Sequence, residues 1–363
     1  WLECTGSAEF EFRCVAIDKR EVFNMVQRPI ITPSRRRFMA ATGSAFAALV
    51  ASGCTIRSRG IAASAAGYGD LVPDPGQFID LPAGFSYRVI SALGDTMDDG
   101  GTVPDSADGM GCFDIGGGKI ALVRNHELKA SRDAGGPITT GYDMFGDSGR
   151  YMPGGTTTLL LDAQSLKVER QYRSLGGTIR NCAGGTTPWG SWLTCEEDLT
   201  LPGKVAGKRH GYVFEVPANA PGIVDAVPLV AMGRFNHEAA CVDPATGAVY
   251  QTEDRDDGLF YRFLPAVPGQ LAKGGRLQAL ALGSGTVDTR NRHGAKIPVN
   301  QVQAAHWINL QDVDTDSDDL RIRGAAAGAA LFARGEGLHM GDGEMYFTCT
   351  SGGAAGLGQV FRL

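Results

Sequence analysis

Four runs along this 363-residue chain share one ending. ALVRNHE (121–127), SWLTCEED (191–198), AVYQTED (248–254) and MYFTCTS (345–351) each carry an apolar or aromatic run into polar residues, and the first three finish on Glu or Asp. The spacings are irregular, roughly 50 to 100 residues, so there is no strict repeat. Runs of this length, bounded by Gly, Pro, Asp or Asn, read as strands. Acids recur at strand ends when one strand per blade of a β-propeller delivers its end to a common channel. A β-sandwich explains the strands but not the recurring acids.

The rest of the mature chain agrees with an all-β fold. GKIALVRNHEL, GGTTTLLLDAQS, GYVFEVP, GLFYRFLP and GEMYFTCTSGG are further short apolar or alternating runs. The chain holds 51 glycines and 17 prolines, and glycine stands at about twice its usual share of roughly 7%. Turn chemistry on that scale, without a G-X-Y period, suits many short strands joined by tight loops. AAAGAALFARGEG (325–337) is the best helix candidate. A net charge of −6, with no basic stripe beyond the N-terminus, argues against a nucleic-acid partner.

The strand ends carry carboxylates at Glu127, Glu196, Glu197, Asp198, Glu238, Glu253, Asp254 and Glu336. Amide oxygens are available at Asn125, Asn181 and Asn236, and softer donors at His126, His237 and Cys182. Many carboxylates meeting in one place repel one another unless cations sit among them. Oxygen donors in number suit calcium, whereas a thiolate suits iron or zinc. The motif NHE occurs twice, at Asn125-His126-Glu127 and Asn236-His237-Glu238. DVDTDSDD (312–319) fails as an EF-hand loop: Ser317 stands where the turn glycine belongs and Arg323 where the bidentate acid belongs. It reads as a solvated acidic loop.

The N-terminus is an address. Arg35, Arg36 and Arg37 precede Phe38 and a moderately apolar stretch too short and weak to span a membrane, the layout of a twin-arginine export signal. Export to the periplasm or the exterior is expected. Cys54 after Ala51-Ser52-Gly53 fits a lipoprotein site, and the small residues of IAASAAG fit soluble release instead. Residues 1–24 look like an over-extended start with no fold, 25–66 like the export signal and linker, and 67–363 like one metal-binding domain. That domain keeps Cys112, Cys182, Cys195, Cys241 and Cys349, an odd number, so at least one thiol is unpaired.

Together LPAGFSYRVIS, VPDSADGMGCF, ALVRNHE, NCAGGTTPWGSWLTCEE, FNHEAACVDPATGAVYQTEDR, FYRFLP and FARGEG resemble the PhoX-type alkaline phosphatase family, over about residues 68–363. The resemblance implies a six-bladed propeller carrying iron (Fe3+) and calcium, hydrolysis of phosphate monoesters and twin-arginine export; a monomer acting on a small phosphoester is expected. It implies an iron thiolate at Cys182, a bridging or iron carboxylate at Glu253, a calcium ligand at Asp254, a further metal carboxylate at Glu336 and a phosphate-binding arginine at Arg334. Glu127, Glu196 and Glu238 carry the family motif as metal residues without a definite role. Family members continue past GQVFRL, so an incomplete propeller is expected. The residues taken alone also fit a calcium propeller that hydrolyses diesters or lactones, or a non-catalytic calcium-binding propeller.

Overall fold

The computed structural model describes the backbone of residues 10–15 and the whole of residues 68–341 and 343–363. The export signal at Arg35–Arg37 and the lipid-anchor candidate Cys54 lie outside the described residues. The chain divides into two compact units, Ile17–Val89 and the remainder, Trp1–Ala16 with Ile90–Leu363. Strand β1 (Phe10–Val15) belongs to the larger unit although it lies within residues 1–24, where no fold was expected. Its sequence FEFRCV alternates apolar and polar residues at the start, a period that suits a strand.

In the smaller unit β2 (Leu71–Val72) and β3 (Leu81–Pro82) form a short antiparallel pair. Asp74 organises the turn between them, accepting hydrogen bonds from the Tyr87 hydroxyl and the Phe78 amide at 2.7 Å each.

Among the described residues, the larger unit is a propeller-like set of four antiparallel sheets in chain order, the last two linked into one nine-stranded sheet. The first holds β4 (Ala107–Gly116), β5 (Lys119–His126), β6 (Gly154–Asp162) and β7 (Val168–Thr178). The second holds β8 (Asn181–Thr186), β9 (Ser191–Glu196) and β10 (Val213–Pro217). The third runs through β11 (His237–Val242), β12 (Val249–Glu253), β13 (Phe260–Pro265), β14 (Gly275–Leu282) and β15 (Gln303–Asn309). The fourth comprises β16 (Gly335–Gly341), β17 (Glu344–Cys349) and β18 (Gln359–Arg362). β1 pairs with both β15 and β18 and so joins the last two sheets. Gly116, Gly117 and Gly118 all take positive φ in the β4–β5 turn, which a side chain resists.

First strands pack beside one another: β4 on β8, β8 on β11 and β11 on β16. Such close approach demands small residues. A Cβ on Gly109 would lie 2.8 Å from the Ala183 Cα and 2.9 Å from the Cys182 carbonyl oxygen, and one on Gly185 only 1.9 Å from the Ala240 oxygen. Apolar side chains fill the space between successive sheets. Phe113, Val123, Trp192 and Phe214 pack between the first two; Leu193, Val213, Phe235 and Tyr261 between the second and third; Phe260, Phe332, Phe347 and Phe361 between the third and fourth. In that last cluster Phe347 stacks on Phe260 with ring centroids 4.2 Å apart. Such a pair is worth about 1 kcal/mol beyond its buried area.

The helix lies earlier than the alanine run suggested. It is α1 (Leu320–Ala326). Gly328, at φ 100°, takes the chain out of the helix, and Ala329 and Ala330 are buried. The acidic stretch before it is tied to arginines: Asp314 and Asp316 to Arg209, Asp318 to Arg255 and Arg321, and Asp319 to Arg323. The cysteines Cys112, Cys182, Cys195, Cys241 and Cys349 are all free thiols.

Candidate metal centre

One local geometry recurs in all four sheets. The first strand pairs with the second through Ala107↔His126, Asn181↔Glu196, His237↔Glu253 and Gly335↔Cys349. Three residues further on, at Met110, Gly184, Ala240 and Leu338, the partner has advanced by only two, so each first strand carries one extra residue. A bulge of this kind re-aims a side chain. The second residue of each strand is then Asp108, Cys182, Glu238 or Glu336, and a small residue follows it every time: Gly109, Ala183, Ala239 and Gly337.

The backbone before each bulge repeats as well. The carbonyls of Ser106, Arg180, Asn236 and Arg334 accept hydrogen bonds from the amides of Glu127, Glu197, Asp254 and Thr350, at 2.8, 3.0, 3.1 and 3.0 Å. These four acceptors each precede a first strand; the four donors each follow a second strand. Ser106, Arg180 and Arg334 adopt φ of 53°, 48° and 56°, a conformation costing a non-glycine residue about 1 kcal/mol.

These positions form one charged cluster. One ligand atom from each of Cys182, Glu197 and Glu238 lies within 4.8 Å of the others. Arg334 donates to both oxygens of Asp254, at 2.8 and 2.6 Å, and to Glu336 at 3.2 Å. Thr350 donates to the same Glu336 oxygen at 3.4 Å. Arg180 donates to Glu127 through Nε and Nη2, at 3.0 and 2.6 Å, and pairs with Glu197. Asn236 holds the other Glu197 oxygen at 3.0 Å.

The cluster is short of positive charge. Burial first, then the charge of Glu336, pushes the Glu238 carboxyl up to about 8. Burial and the neighbouring Asp254 raise Glu336, burial and Glu127 raise Asp108, and burial raises Glu197 despite Arg180. Burial, then Glu238, pushes the Cys182 thiol well up. Two carboxylates at the 4.8 Å limit of the triad repel by about 3 kcal/mol at an effective dielectric of 20. A thiol beside carboxylates that resist ionisation is a donor set a metal ion suits, since the ion favours the deprotonated forms.

Of the expected residues, Cys182, Glu127, Glu238, Asp254, Glu336 and Arg334 come together. Glu196 and Glu253 do not, for the same reason. They are the last residues of second strands, one position before the group that reaches the cluster, and alternation turns them into the sheet. Glu196 is fully buried, accepting from the amides of Ile179, Gly211 and Tyr212 and pairing with His210 at 2.6 Å. Glu253 accepts from the Tyr261 hydroxyl at 2.7 Å and the Leu259 amide at 3.1 Å. His126 and His237 are buried, and burial lowers both to about 3, so they are neutral. Asn125 spends its amide on the Cys182 and Ala183 carbonyls and on Trp192 and Thr194. Glu197 takes the place expected of Glu196. Asp108 was not foreseen at all; an acid or thiol followed by Gly or Ala in DG, CA, EA and EG was its available signal.

The chain matches the model of a protein family described as alkaline phosphatase PhoX over residues 66–165 and 146–362. Comparison with curated proteins gave no match. Among solved structures, the chain is similar to Pseudomonas fluorescens PhoX in complex with vanadate, a transition state analogue, at 18% identity and a TM-score of 0.54. That match covers 75% of this chain and 66% of the other, just under two thirds of its length, and shows a shared fold. With the family match running almost unbroken across the sheets that build the cluster, the chain belongs to the PhoX alkaline phosphatase family.

Proposed function

We propose that the chain is an exported metal-dependent phosphatase that hydrolyses phosphate monoesters, with iron and calcium as its metals. The observation that supports this best is the meeting of Cys182, Glu197 and Glu238 within 4.8 Å, in a cluster where, among the described residues, six carboxylates (Asp108, Glu127, Glu197, Glu238, Asp254, Glu336) face two guanidiniums (Arg180, Arg334). Cys182, Glu197 and Glu238 would hold the thiophilic metal, and Glu127, Asp254 and Glu336 the harder cations. Bound there, the cations supply the positive field that a phosphomonoester dianion needs and Lewis acidity for its hydrolysis.

The residues of the chain supply orientation. Asn236 and Thr350 fix the oxygens of Glu197 and Glu336. Arg334 stays partly exposed, its Nη1 makes no hydrogen bond among the described residues, and that nitrogen would donate to a phosphoryl oxygen as charge moves to the leaving oxygen. Export by the twin-arginine route rests on Arg35–Arg37 and the apolar stretch after them. Lipid attachment at Cys54 and soluble release are its two possible endings.

The test is elemental analysis of the purified protein, followed by assays on p-nitrophenyl phosphate and its bis-ester with and without a chelator. Iron with calcium and a chelator-sensitive monoesterase supports the proposal. Calcium alone with diesterase or lactonase activity, or metal with no hydrolysis, refutes it. Cys182→Ala is expected to remove iron, and unchanged iron content would reject that ligand.

A further inference from the structure

We infer that Arg180 is a positioning residue for the metal centre, a fixed cation that sets Glu197 in place. The inference rests on the metal-dependent reading above but concerns a residue that reading leaves without a task.

Arg180 and Arg334 are counterparts. Each immediately precedes a first strand, at Asn181 and Gly335, and each has positive φ. The Arg180 amide donates to the Leu128 carbonyl, one residue past Glu127; the Arg334 amide donates to the Arg255 carbonyl, one residue past Asp254. Two residues after each stands a group of the cluster, Cys182 or Glu336. The shared backbone frame makes the difference between their side chains informative.

Arg334 uses Nε and Nη2 on Asp254 and Glu336, leaves Nη1 without a hydrogen bond among the described residues, and its side chain is 45% exposed. The Arg180 side chain is 28% exposed and has all three nitrogens engaged. Nε and Nη2 hold Glu127, Nη2 also holds Glu197 Oε2, and Nη1 donates to the Glu197 carbonyl at 2.9 Å. It therefore grips Glu197 by both side chain and backbone and ties it to the end of the first sheet. Asn236 takes the remaining oxygen, Oε1, from the third sheet. Glu197 is thus held between two sheets, at the place where it meets Cys182 and Glu238. The fork of Arg180 sits between two carboxylates, as a small cation would, but cannot exchange. With four of its five N–H donors committed to Glu127 and Glu197, Arg180 serves the cluster rather than the substrate.

The experiment uses the full chain stripped of metal, titrated anaerobically with ferrous iron by calorimetry, with circular dichroism and melting recorded alongside. Arg180→Gln is expected to fold and to bind iron at least tenfold more weakly, the range seen when a group supporting a metal ligand is lost. Arg180→Lys keeps the charge but not the fork and is expected to bind at least threefold more weakly. At saturating metal, KM for p-nitrophenyl phosphate should stay within twofold of wild type in both. Iron affinity equal to wild type in Arg180→Lys overturns the inference whether or not Arg180→Gln folds. A tenfold rise in KM at saturating metal also overturns it, because Arg180 would then touch substrate. Wild-type protein that binds iron yet hydrolyses no phosphomonoester would sink the functional reading alone, since Arg180 is judged on metal affinity.

Discussion

His210 is buried between two carboxylates, and removing it should change how stability depends on pH. Its Nδ1 lies 2.6 Å from Glu196 and its Nε2 3.2 Å from Asp143, with the side chains of all three at most 5% exposed. Burial opposes a charge on the ring, but Glu196 and the hydrogen bond to Asp143 overcome it and lift His210 from 6.5 to about 9. A raised value means that the folded state favours the protonated ring. The stability it contributes is complete below pH 6.5 and is lost as pH rises through about 9. Two and a half pH units between those values correspond to about 3 kcal/mol, at 1.36 kcal/mol per unit. In His210→Gln that contribution is gone at every pH. The carboxylates it leaves still accept amides, three on Glu196 and two on Asp143, so the fold should survive. Melting of wild type and variant is to be followed from pH 6 to 10. The gap between them should narrow by roughly 6–12 °C across that range, at 2–4 °C per kcal/mol for a domain of this size. A gap that stays constant with pH would falsify a protonated His210.

Two substitutions separate the groups of the cluster from those behind it. Glu253→Gln should leave the metal content unchanged and stability at pH 8 equal to or above wild type, because burial already pushes this carboxyl up to about 7 and its Oε1 has no hydrogen-bond partner among the described residues; loss of iron in this variant would restore Glu253 as a ligand. Gly109→Ala places a methyl against the backbone of Cys182 and Ala183. It should cost about 1–3 kcal/mol in denaturant melts and lower metal content, and wild-type values in both would refute the tight contact of β4 with β8.

The strands that could be read from sequence were the second and third strands of each sheet, while β7, β14 and β15 went unread. ALVRNH, SWLTCE, VYQTE and EMYFTC are apolar, aromatic and β-branched, and all four are strands, β5, β9, β12 and β17. The first strands were nearly silent. NCAGGT, the opening of ADGMGCFDIG and GEGLHMG look like loops because glycine and alanine carry little strand preference. Their smallness follows from position: β4, β8, β11 and β16 converge, and a Cβ on Gly109 or Gly185 would strike the neighbouring backbone. Crowding at the convergence therefore removes the side chains that would have announced a strand where the cluster is built. The two copies of NHE illustrate a related limit. Glu127 follows the end of a second strand, whereas Glu238 is the second residue of a first strand. The same three letters reach the cluster by different routes, so counting the motif did not identify one repeated structural position.

The pairs Glu196-Glu197 and Glu253-Asp254 show how one-residue alternation decides role. Each pair has one member in the sheet and one in the cluster. The inner member is satisfied by protein groups, by amides and His210 for Glu196 and by Tyr261 and an amide for Glu253. The outer member meets Arg180 or Arg334. Thr350 occupies the matching place after β17, and its own neighbour Cys349 is buried. The fourth sheet therefore contributes a hydroxyl where the others contribute a carboxylate, so the cluster is not charged evenly. Its negative charge is weighted toward Glu197, Glu238, Asp254 and Glu336, while Asp108 is paired with the Arg180-bound Glu127. On this repeated backbone frame, that uneven choice of side chains would decide where the proposed metals bind and where an arginine serves instead.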